Sequence, residues 1–88
     1  MGHAMIYAVT EEIWSMAVQE ADRKLLRAAE QIDAKSDKEE AEKRAEQLAG
    51  KFDHHGYERE GDVDLRAYWW GRNDGVREIH RFKVKPAV

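Results

Sequence analysis

The chain has no cysteine and a single proline, Pro86. Without thiols there is no disulfide framework and no thiolate metal site, which fits a reducing cytoplasm. Only two serines occur, Ser15 inside a helical pattern and Ser36 at the start of another, so nucleophilic catalysis is poorly supplied. No glycine-rich phosphate loop precedes a helix, and no zinc-ligand spacing appears. The longest apolar run falls far short of the roughly 20 residues that span a bilayer. Nor is there a basic start followed by an apolar signal core. These absences argue against an enzyme, a cofactor, a metal site and a membrane span.

What is present is one domain's worth of chain, residues 1–88. A chain this short buries roughly 60–65% of the surface its unfolded form exposes, so its core must rest on a few large side chains. Residues 1–4 suit a cloning remnant ahead of Met5, and His3 is assigned no function. The net charge of −3 is uneven: residues 1–50 carry 7 Lys/Arg against 11 Asp/Glu, and residues 51–88 carry 8 against 7. Apolar positions recur throughout, unlike a disordered charge run.

Residues 10–34 carry Trp14, Val18, Ala21, Leu25, Ala28 and Ile32 at spacings of three and four, the stripe of an amphipathic helix with Thr10 as N-cap. A second helix is expected from Ser36, which forms a capping box with Glu39. Ala41, Ala45, Leu48 and Phe52 supply its apolar face. It runs to about His55, with Gly56 as its C-terminal cap and Tyr57 packing back on Phe52. The short link at 33–36 implies an antiparallel helical hairpin.

From residue 62 the period changes to two. Val63, Leu65, Ala67 and Trp69 alternate with Asp64, Arg66, Tyr68 and Trp70, as in a strand with one buried face. Asp74-Gly75 signals a two-residue type I′ turn, with Asn73 opposite Val76. That register sets Trp69 against His80, Ala67 against Phe82 and Leu65 against Val84 on the core side. The expected class is α+β: an antiparallel helical hairpin packed on one face of a small antiparallel β-sheet. The sheet comprises a β-hairpin at 62–84, with residues 5–9 and "YERE" as candidate further strands.

The outward side of that hairpin pairs Trp70 with Ile79, Tyr68 with Arg81, Arg66 with Lys83 and Asp64 with Lys85, with Arg72 and Arg77 near the turn. Six cations face one carboxylate among three apolar or aromatic side chains. Like charges directly opposite cost stability, so packing alone explains the arrangement poorly. Three readings apply. The face is solvated and Trp70–Ile79 is an ordinary cross-strand pair; or it is a protein-binding patch of hot-spot residue types; or bases stack on its rings while cations follow phosphates. A second copy covering Trp70 in a homodimer is a further alternative.

Other constellations have structural explanations. His54 and His55, as adjacent helical residues, point about 100° apart and do not readily chelate one ion. His80 lies on the core side. Glu39–Lys43 and Glu40–Arg44 are favourable i,i+4 pairs, so the acidic helix face is largely self-neutralised. The tripeptide at 70–72 is similar to the one that names the WGR domain of some nucleic-acid-binding proteins, but three residues assign no family.

The expected function is a small non-catalytic protein-binding or inhibitor protein that docks a protein partner through the basic–aromatic face. The face comprises Arg66, Tyr68, Trp70, Arg72, Arg77, Ile79, Arg81 and Lys83. Size and composition suit, by analogy, a phage-type inhibitor such as an anti-CRISPR protein. The alternative is a single-stranded nucleic-acid-binding protein using the same face.

Overall fold

The computed structural model of the protein describes residues 5–17, 19, 22–59 and 67–87. Along these residues run β1 (Ile6–Ser15), β2 (Leu25–Lys35), α1 (Lys38–Ala49), β3 (His54–Arg59), β4 (Ala67–Arg72) and β5 (Glu78–Ala87). The strands form one antiparallel sheet in the order β2-β1-β5-β4-β3. Helix α1 carries the chain from one edge strand, β2, across a face of the sheet to the opposite edge strand, β3.

The expected helical hairpin is therefore not present: residues 10–34 supply most of a β-hairpin, and among the described residues one α-helix remains. In β1 the residues Ile6, Tyr7, Val9, Thr10, Ile13 and Trp14 are β-branched or aromatic, types that suit a pleated surface. The 3–4 spacing from Trp14 onward competes with this signal. The chain instead turns back after Ser15, whose N–H donates to Lys24 O at 2.8 Å and whose Oγ accepts from Lys24 N at 2.7 Å. Strand β2, LLRAAEQIDAK, is made of good helix formers. It is extended nonetheless, its backbone paired antiparallel along β1. The pairing is irregular, with register shifts at Val9/Thr10, Glu11/Ile13 and Ile13/Trp14. Such bulges bend an edge strand and blunt its pairing with another chain. The candidate strand at 5–9 lies within β1, except for Met5.

Helix α1 starts one residue later than the capping box implied. Asp37, in extended backbone, accepts from Glu39 N at 3.0 Å, and Glu39 and Glu40 occupy the positive end of the dipole. It also stops earlier, at Ala49. Gly50 caps it, and His54, His55, Gly56 and Tyr57 belong to β3 rather than to a last turn. Ala41, Ala45 and Ala49 are fully buried on the sheet-facing side, so the helix backbone lies close to the strands. Beneath them Val9 and Phe82 form the core centre, flanked by Tyr7, Leu48, Phe52, Trp69 and Val84. Burial of Val9 and Phe82 contributes roughly 1.5–3 kcal/mol each.

The β4–β5 pairing is shifted by two residues from the expected one. Trp69 faces Phe82, Trp70 faces Arg81 and Gly71 faces His80. A shift of two keeps every side chain on its expected face, so alternation alone does not detect it. The slip arises just beyond the turn, where residues 77–79 on the β5 side stand against Arg72 alone on β4. Val76 N donates to Asn73 O at 3.3 Å, but only Gly75 has positive φ, at 80°. A type I′ turn needs positive φ at Asp74 as well. Leu65 and Arg66, expected opposite Val84 and Lys83, lie outside the described residues. No helix among the described residues is long and apolar enough to cross a membrane.

Candidate functional site

The helix covers only one face of the sheet. The other face carries the alternate residues of β1, β5 and β4: Ala8, Thr10, Glu12 and Trp14; Ile79, Arg81 and Lys83; Tyr68, Trp70 and Arg72. Registry places Trp14 beside Ile79 and Glu12 beside Arg81 across β1–β5, and Trp70 beside Arg81 across β4–β5. Gly56 lies opposite Trp70, and a Cβ there would come within 2.9 Å of Trp70 Nε1. Trp70 therefore rests over the bare backbone of β3 and is half-buried rather than fully exposed.

On this face a concave cavity of about 770 Å³ opens, lined by Met16, Ala17, Arg23, Glu58, Tyr68, Trp70, Arg72, Arg77, Ile79 and Arg81. Six of the eight residues singled out in the sequence thus share one wall: Tyr68, Trp70, Arg72, Arg77, Ile79 and Arg81. Lys83 lies on the same face of β5 but is engaged elsewhere, its Nζ 3.0 Å from Glu12 Oε1. Arg66 lies outside the described residues. The sequence pattern alone does not single out Met16, Ala17, Arg23 and Glu58, nor Trp14, whose ring stacks on Arg81. The signal for Trp14 and Met16 is the two-residue period Ala8-Thr10-Glu12-Trp14-Met16 along and just past β1, which competes with the helical spacing.

At the centre sits Arg81. Its guanidinium carbon lies 4.7 Å from the Trp14 ring centroid and 4.6 Å from that of Tyr68. The residue is only 9% exposed, and its Nε is buried without a hydrogen-bond partner. Guanidinium tolerates this because it is weakly hydrated and stacks on aromatic faces. Ile79, 8% exposed, forms apolar floor beside it. Three further arginines, Arg23, Arg72 and Arg77, and one carboxylate, Glu58, complete the lining. Arg23 Nε donates to Ala17 O at 3.3 Å. The guanidinium groups of Arg72 and Arg77 have no carboxylate partner among the described residues.

The remaining candidates lie away from the cavity. His54 Nε2 is 2.8 Å from Asp74 Oδ1, and as neighbours in a strand His54 and His55 point to opposite faces. His80 is on the helix side, where its ring packs 4.7 Å from that of Phe52 and its Nδ1 is 3.0 Å from Glu11 Oε2. Arg44 pairs with Asp33, with Nε–Oδ2 at 2.9 Å, rather than with Glu40 on its own helix. No group of three or more His, Asp or Glu is placed to hold a metal among the described residues. Comparison with known proteins finds no match to a family model, a curated protein or a solved structure.

Proposed function

We propose that the chain is a small non-catalytic binding protein that docks a protein partner through the helix-free face of its sheet. One observation carries the reading: Arg72 and Arg77, with no carboxylate partner among the described residues, rim a cavity floored by Trp70 and Ile79. An apolar centre with aromatic and arginine anchors inside a charged rim is the composition of an interface hot spot. Stacking of nucleic-acid bases is less well served. A base needs a free ring face, whereas Trp14 and Tyr68 each present one to Arg81. The net charge of −3 also opposes an extended polyanion.

Immobilised parent, the Arg72→Glu/Arg77→Glu double variant and a Lys43→Glu control on the helix should be compared as baits, with and without nuclease. The expected result is a specific protein retained by the parent and the control but lost on the double variant, insensitive to nuclease. Nuclease-sensitive retention that falls steeply with salt would replace this reading with a nucleic-acid one.

A further inference from the structure

The buried guanidinium of Arg81 has an unfilled requirement. Rings stack on the planar faces of a guanidinium, but its N–H donors point outward in the plane and still need acceptors. Arg81 is flanked by Trp14 and Tyr68, and its Nε is buried without any acceptor. Glu12, the carboxylate opposite it on β1, is taken by Lys83. A charge has thus been drawn largely out of water with no carboxylate within ion-pairing distance among the described residues, an arrangement that costs stability unless something completes it. Arg81 also lines the cavity, which places this incomplete charge where a ligand can reach it.

We infer that Arg81 is the seat for a carboxylate of the bound protein, an Asp or Glu side chain inserted into the cavity. This rests on the binding-face reading above and specifies its chemistry. The planar two-oxygen acceptor of a carboxylate matches the fork of a guanidinium. Arg72 and Arg77 draw the acidic segment in, and Trp70, Ile79 and Met16 receive an apolar side chain next to the carboxylate. The recognised element is therefore acidic and apolar at neighbouring positions. A nucleic-acid backbone would instead need a continuous cationic track, and here the carboxylates Glu12 and Glu58 lie on the same face.

The test uses hexaglutamate, hexaglutamine and a dT12 oligonucleotide as probes at matched ionic strength, read by tryptophan fluorescence and thermal melting. The parent should bind hexaglutamate and melt at higher temperature in its presence, as any ligand selective for the native state requires. Hexaglutamine and dT12 should do neither. Arg81→Met should weaken hexaglutamate binding at least tenfold, and Arg81→Lys, which keeps the charge but not the fork, should recover little of it. If Arg81→Met fails to melt cooperatively, Arg81→Lys alone decides. Equal binding by parent and variants, binding of dT12 only, or no binding of hexaglutamate by the parent would each overturn the carboxylate seat. If a protein is still retained through Arg72 and Arg77 in any of these cases, the face reading survives; if none is, both fail.

Discussion

Gly71 shows how tightly single residues are fitted where the helix meets the sheet. A Cβ at this position would lie 2.6 Å from Phe52 Cγ and 3.0 Å from Ala49 O, with β4 and the end of α1 both already in place. Gly71→Ala should therefore destabilise the protein by about 1–3 kcal/mol through overpacking, read from the midpoint of a urea titration. An unchanged midpoint would mean that Phe52 is not seated there. The alternation that sends Trp69 inward and Trp70 outward was legible, because the two-residue period of 67–70 is unbroken. Trp69 indeed donates its Nε1–H to Glu42 on the helix at 3.0 Å and packs against Tyr57. Trp14 was not legible: its spacing to Val18 fits a helix as well as its position after Ile6, Ala8, Thr10 and Glu12 fits a strand.

At the scale of elements, β2 is the segment where local preference and tertiary structure disagree. Its Leu, Ala, Glu and Gln residues favour a helix, and its side chains are almost all exposed, Leu25 by 46% and Leu26 by 54%. No periodicity argument could have recovered it, since its apolar residues do not mark a buried face. Leu25→Ala should consequently change stability by no more than about 0.5 kcal/mol, whereas Phe82→Ala should cost about 3–5. A large loss at Leu25 in thermal or chemical denaturation would restore the buried helical stripe. What ties β2 to the body is chiefly polar, and Asp33 is central to it. Its Oδ1 accepts from Ala34 N at 2.8 Å and its Oδ2 from Arg44 Nε at 2.9 Å, with Lys35 nearby. The Ala34 N–H above all, helped by Arg44 and Lys35 against a desolvation cost, holds the carboxyl below the usual carboxylate range. A folded-state value lowered in this way stabilises the fold above the ordinary carboxylate range, and the contribution is lost as pH falls through the lowered value. Asp33→Asn should be slightly less stable than the parent at neutral pH and should converge with it in acid. A difference that persists at low pH would assign the effect to packing instead.

For the whole molecule, the division of labour between two faces of one sheet was partly readable and the architecture was not. Tyr68, Trp70, Arg72, Arg77 and Arg81 share a wall because strand alternation survives a two-residue register slip. That invariance also hides the slip from any argument based on alternation alone. The long-range insertion of β5 between β1 and β4 leaves no local trace in the chain. The three tryptophans report separately on the outcome: Trp14 and Trp70 belong to the helix-free face, and Trp69 to the helix side. Following their indole N–H signals by 15N NMR during titration with hexaglutamate tests the binding face most directly. The expected result is a progressive shift of the Trp14 and Trp70 signals with Trp69 unmoved. A shift confined to Trp69, or no shift at saturating peptide, would contradict the assignment of this face as the binding surface for an acidic protein segment.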